Sequence, residues 1–197
     1  MGGFVVEGTP LVTVAGLTEV DQAATSAINA AYVISRQRTV QEDATFGIRQ
    51  IVDIALKALS PGINDSTTAV MCVDYLTEIL GRLASRRIEK PHLLDQGVIR
   101  VITQGPTFES LLAQAFDQIR QSAEGNVSVL IRILGALKTV AGMTSSSVRL
   151  RAIHDYVRYV DEVAERTIAA PHDRDRFRER LAQVCEAITP PSTVQNA

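Results

Sequence analysis

The side chains best suited to chemistry lie in one stretch, RQRTVQEDATFGIRQIVDIALKALSPGINDSTTAV, residues 36–70. Arg36, Arg38, Asp43, Arg49, Asp53, Asn64, Asp65 and Thr68 supply guanidinium, carboxylate, amide and hydroxyl groups. Drawn into one pocket, they could bind a small ligand. An enzyme built on them would show several of these groups converging, with perturbed carboxylates. Asp53 and Asp65 would form a carboxylate pair only if the fold brings them together. Arg36 and Arg38 could hold a phosphate, a lipid headgroup or the carboxylates of Glu42 and Asp43, and intramolecular pairing is the simplest account.

The elements that must position these groups are helical. Thr39-Val40-Gln41-Glu42 is a capping box, in which hydroxyl and carboxylate satisfy free backbone N–H groups reciprocally. It predicts a helix to about Leu59. On a helical wheel Glu42, Arg49, Asp53 and Lys57 form one narrow charged stripe, with Arg49–Asp53 and Asp53–Lys57 spaced as i,i+4 pairs. Ile48, Ile51, Val52, Ile54, Leu56 and Leu59 cover most of the remaining circumference, which predicts a central place in the bundle. The stripe reads as a solvated face, the usual role of such patterns. The sharper alternative is the wall of a pocket floored by Ser60–Asp65.

That turn also has two readings. Pro61, Gly62, Asn64 and Asp65 are the residue types a tight corner between helices requires, and this reading suffices by itself. Asp65 then caps a third helix running to about Arg86. A helix start bearing Ser66, Thr67 and Thr68 could instead hold an anion, but the Asp65 carboxylate would occupy or repel the same position.

Elsewhere the pattern is mostly helical. Thr18 can cap a helix to about Arg36, with Asp21 in its first turn. Further helices are expected at 107–124, 127–141, 146–169 and 171–188. Gly3 to Val14 (GFVVEGTPLVTV) reads as a small hairpin, and Val98 to Thr103 (VIRVIT) as a short strand that could pair with it. A lone hairpin is marginal in water, so it must find a partner. The expected fold is mainly α: six or seven helices with a small β appendage. Its parts are a hairpin at 3–14, a helical domain at 18–188 and a disordered tail at 189–197.

Composition narrows the function. A net charge of −2 offers no basic field for a phosphate backbone, so nucleic acid is a poor partner. Cys72 and Cys185 have no metal-type spacing and read as small buried hydrophobes. His92, His154 and His172 are isolated, so no metal site is expected. No cofactor is expected either: P-loop, G-x-G-x-x-G, G-x-S-x-G and S-x-x-K patterns are all lacking. GFVVEGTPL superficially resembles half of a biotinyl or lipoyl carrier domain, but the first lysine is Lys57, within a helix. No signal peptide is read at the N-terminus. The most apolar stretch, Val127 to Met143, contains Arg132 and Lys138 and is shorter than the ~20 apolar residues of a span.

The run RTVQEDATFGIRQIVDIALKALSPGINDSTTAV closely resembles the signature of a bacterial family of predicted membrane proteins, domain of unknown function 2254. GGFVVEGTPL and PTFESLLAQAFDQIR are similar to the same family's soluble region. The likeness extends from about Gly3 to Leu150. One departure is Ser66, where the family typically has proline. The resemblance implies that several transmembrane helices precede a soluble C-terminal region, and that this chain corresponds to that region, as a fragment or a shortened product.

The leading expectation is a non-enzymatic domain acting in assembly or ligand sensing at the bacterial inner membrane. It is expected to be soluble, to face the cytoplasm, to form a homo-oligomer, and to reach the membrane through a transmembrane region outside this chain. The alternatives are an enzyme of unrecognised type with a polar site around residues 38–65, and a gating or regulatory domain of a membrane pore.

Overall fold

Asp21 starts the first helix. Its carboxylate accepts from the Ala24 N–H at 2.6 Å, and α1 spans Gln22–Ala30. Asp21 is therefore the cap rather than a first-turn residue. The helix ends well before the expected Arg36. Ala31 and Tyr32 donate to Ile28 and Asn29, a tightening of the last turn that closes the helix. The computed structural model describes residues 5–15, 19–32, 34, 43–86, 92–102 and 105–188. Arg36, Arg38, the capping box at 39–42 and the tail expected at 189–197 lie outside the described residues.

Two units make up the chain, Met1–Phe46 and Gly47–Ala197. In the first, residues 5–15 form no strand, although Thr9 N–H donates to the Val6 carbonyl across a turn at Gly8, whose φ is 86°. The hairpin expected at 3–14 is thus not formed among the described residues. No residue of α1 is buried.

The second unit holds most of the helical structure. After α2 (Ala44–Ala58), which starts at the unit boundary, come α3 (Ser66–Ser85), α4 (Phe108–Ser122), α5 (Val127–Gly142), α6 (Ser147–Thr167) and α7 (Pro171–Ile188). The caps explain most starts. Asp65, Asn126 and Ser146 each accept from the backbone N–H three residues on. Thr107 and Ser110 satisfy each other's backbone in a capping box.

The central helix is α5, not α2. It packs against α3, α4, α6 and α7, and Val129, Leu130, Ile133, Leu134, Leu137 and Val140 are fully buried. Its one early charge, Arg132, reaches out to Asp74 of α3. By contrast α2 buries Ile48, Val52, Ala55 and Ala58 but leaves Ile54 54% exposed. An apolar circumference marks a buried helix only when neighbours close on every side. Around α5 they do. Phe116 and Phe177 complete the core from α4 and α7, where loss of either ring would cost about 3–5 kcal/mol.

The β element lies elsewhere than expected. Val98–Ile102 is a strand (β2), but it pairs antiparallel with His92–Asp95 (β1), its immediate neighbour in sequence. Gln96 and Gly97 both have positive φ, 49° and 81°, the backbone that a two-residue hairpin turn demands. Closing so short a loop costs far less entropy than recruiting a distant segment. With that change of place, the architecture is the expected one: mainly α with a two-stranded appendage.

Candidate functional site

The expected site residues resolve into separate local pairs. Asp43 is buried at the head of α2, where its Oδ1 accepts from the backbone N–H of Thr45 at 3.0 Å and also from the Thr45 hydroxyl. Arg49 and Asp53 form the anticipated i,i+4 ion pair, Nε to Oδ1 2.9 Å, with both side chains about half exposed. Arg49 also donates from Nη1 to Gln118 Oε1 of α4 at 2.7 Å. This contact joins positions far apart in sequence and has no signature in the local pattern.

At the corner, Asn64 adopts a left-handed φ of 50°. Its N–H donates to the Ser60 carbonyl at 2.9 Å, and the Asp65 N–H donates to the Ala58 carbonyl at 2.8 Å, closing the end of α2. The Asp65 carboxylate then accepts from the Thr68 N–H at 3.0 Å and from the Thr68 hydroxyl. The hydroxyl bond, followed by the backbone bond, holds the Asp65 carboxyl below its usual range. No hydrogen bond or ion pair joins the Arg49–Asp53 pair to the Asp65–Thr68 pair among the described residues. Apart from the Arg49 bond to Gln118 of α4, the groups act on the ends and faces of their own helices.

Three other features were not anticipated. Asn126 caps α5 through Oδ1 and donates from Nδ2 to the Ser66 hydroxyl at 2.7 Å, tying the starts of α5 and α3 together. Between α4 and α6, Tyr156 donates to Asp117, which also faces Arg120 at 3.5 Å. The Arg120 guanidinium lies 6.0 Å from the Tyr159 ring centre. Burial first, and then the bond to Asp117, push the Tyr156 phenol well above its usual range. Last, a cleft of about 390 Å³ opens between the end of α3 and the start of α6, lined by Ser85, Arg86, Met143, Thr144, Ser146 and Arg149 among others. Its polar groups have structural duties. Arg149 donates to the Ala84 carbonyl at 2.6 Å and lies over the Phe108 ring, and Ser146 caps α6.

In the first unit a second cavity, about 340 Å³, lies between the extended segment and α1, with Leu11, Val12, Val14, Val20, Ile28 and Tyr32 on its walls. Among the described residues no three His, Cys, Asp or Glu side chains are placed to share a metal ion. Cys72 is buried as expected, and burial pushes its thiol up. Cys185 is exposed, on the outer face of α7, and so is not the buried hydrophobe its sequence context suggested.

Residues 1–139 match the model of a family described as predicted membrane protein, DUF2254. The chain belongs to this family. Relatives of this DUF2254 chain include uncharacterised proteins of Mycobacterium bovis and of two strains of Mycobacterium tuberculosis. Each is 33% identical over 162 residues, covering 82% of this chain and 31% of the relative. The DUF2254 chain thus spans roughly a third of the length of these curated relatives. No solved structure matches it. No helix among its described residues is long and apolar enough to cross a membrane. The family match includes α1 to most of α5, and so contains the α2–α3 corner and the hairpin, while α6 and α7 lie beyond it.

Proposed function

We propose that this chain is an assembly domain of a DUF2254 membrane protein, joining copies of that protein at the cytoplasmic side of the inner membrane. One observation carries the reading: large apolar side chains stand exposed on the elements around the α2–α3 corner. Met71 and Tyr75, one turn apart on α3, are 50% and 57% exposed, and Ile54 and Ile63 are exposed to a similar degree. Exposed apolar side chains grouped on neighbouring elements favour contact with another protein where they join into one patch. The polar residues of the same segment support the reading too, because they are engaged in caps and in pairs within the chain. They brace the corner that presents the apolar side chains. The buried Cys72 thiol, in no disulfide, suits the cytoplasmic side, where disulfides are rare.

Native mass spectrometry of the purified chain tests this. A defined mass of two or more chains is expected. A mass of one chain at every concentration would overturn the proposal. An oligomer carrying additional non-covalent mass would shift the role from assembly alone to ligand sensing.

A further inference from the structure

The cleft between the end of α3 and the start of α6 gathers positive charge without an acid. Its lining includes two arginines, Arg86 and Arg149, and no Asp or Glu. The described arginines elsewhere are mostly ion-paired: Arg82, one turn before Arg86 on α3, pairs with Glu78, and Arg132 pairs with Asp74. Among the described residues neither Arg86 nor Arg149 faces a carboxylate. Arg149 is partly buried, so its charge is withdrawn from water without a counter-charge from the chain. The structural bonds around the cleft consume acceptors and leave donors. The carbonyls that end α3 are taken: Ser85 donates to Arg82, the Arg86 N–H to Leu83, and Arg149 to Ala84. Arg149 spends a single N–H group there, and the Phe108 ring centre lies 5.5 Å from its guanidinium. The Thr144 and Ser146 hydroxyl oxygens accept from the backbone N–H groups of Ser146 and Arg149, which leaves their own O–H groups to donate. Ser145 adds an exposed hydroxyl.

We propose that this cleft binds a phosphate group carried by a small molecule or a lipid. Guanidinium forks and hydroxyl donors together match an anion with several acceptor oxygens, and arginine is the residue type best shaped to hold phosphate. The anion supplies the counter-charge that Arg86 and Arg149 lack. At about 390 Å³ the cleft is of the size of small-molecule sites and exceeds what a bare phosphate fills. The Met143 side chain on its wall offers the body of the ligand an apolar contact. Two sources share this chemistry, a soluble phosphorylated compound and the headgroup of an anionic phospholipid. The inference does not depend on the assembly reading, because its residues are not those of the exposed apolar surface. Inorganic phosphate lacks the body, and Arg86 is exposed, so phosphate alone should bind weakly, with a dissociation constant on the order of millimolar.

Equilibrium dialysis of the whole chain against radiolabelled inorganic phosphate, at ionic strength held constant with sodium chloride, tests the site. Saturable binding is expected. Arg86→Gln should weaken it by about fivefold or more, the effect of losing one hydrogen bond to a charged group. The Arg86 side chain makes no bond within the chain among the described residues, so the melting temperature of this variant should hold. Arg151→Gln removes an exposed charge of α6 that does not line the cleft, and should leave binding unchanged. Absence of saturable binding would overturn the inference. So would an equal loss in the two variants, which would reveal general charge attraction. Flotation with vesicles of phosphatidylcholine alone, and of equal parts phosphatidylcholine and phosphatidylglycerol, separates the sources. Capture by the anionic vesicles that Arg86→Gln abolishes assigns the phosphate to a lipid headgroup. Saturable phosphate binding without vesicle capture assigns it to a soluble compound.

Discussion

Asn126 and Ser66 lie 60 positions apart, yet the Asn126 amide donates to the Ser66 hydroxyl at 2.7 Å. The residue that caps α5 thereby also grips the first residue of α3, so the two helices start side by side. Asn126→Ala should cost about 2 kcal/mol, since it removes a helix cap and a partly buried hydrogen bond at once. Ser66→Ala should cost less than about 1 kcal/mol, because only the bridge is lost. The double variant should then be more stable than the sum of the two losses implies, by roughly 0.5 kcal/mol or more. Urea unfolding of the four proteins measures this. Strict additivity would mean that the bridge contributes nothing. Ser66→Pro removes the same bridge but sets a favourable first-turn φ, and should come out close to neutral.

Asp65 makes acid stability depend on one side chain. Its carboxyl sits below the 3.8 of a free carboxyl because the Thr68 hydroxyl and backbone bind the ionised form. A group with a depressed folded value contributes its stabilisation in full above the unfolded value and loses it as pH falls through the folded one. Asp65→Asn keeps a competent cap but cannot titrate. The wild type should therefore melt higher than Asp65→Asn near neutral pH, and the gap should close as pH falls below about 4. A gap that stays constant from pH 7 to pH 3 would show that Asp65 acts through shape alone.

What could be read in advance was what is local. Asp65, Thr107 and Ser146 cap helices because a side chain and an N–H three residues on decide the matter between them. The Arg49–Asp53 pair is equally local. Arg49 to Gln118, Asn126 to Ser66 and Tyr156 to Asp117 are not, since packing alone brings those positions together. The β element shows the same division. Val5, Val6, Val12 and Val14 carry strand propensity but find no ladder among the described residues, and propensity in strands counts only where a partner strand exists. His92-Leu93-Leu94-Asp95 has less propensity but a turn beside it, and Gln96, a residue seldom found at positive φ, hid that turn. As for the candidate site, its residues proved close in sequence yet separate in bonding. Periodicity puts Asp53 on a stripe, but it cannot say whether Asp65 faces the same space.

Tyr156 should be the alkaline counterpart of Asp65. Its ring is nearly buried between α4 and α6, against Phe116 and Tyr159, with ring centres 6.3 and 5.6 Å away. Its hydroxyl donates to Asp117, so ionisation would both desolvate a charge and set it against a carboxylate. The folded value is therefore raised above the 10.0 of a free phenol. For a group raised in this way, the stabilisation is complete below the unfolded value and drains away as pH climbs toward the folded one. Tyr156→Phe keeps the ring and removes the hydroxyl, leaving Asp117 with Arg120 at 3.5 Å. At pH 7 the variant should be less stable by about 1.5–3 kcal/mol, the loss of one hydrogen bond to a charged group. The difference should narrow above pH 10, because there the unfolded wild type gains by ionising and the variant has no phenol to ionise. Thermal melts of both proteins between pH 7 and pH 11 decide it. A difference that does not change across that range would mean that the Tyr156 hydroxyl reaches water in solution and that the α4–α6 contact is looser than the bond to Asp117 requires.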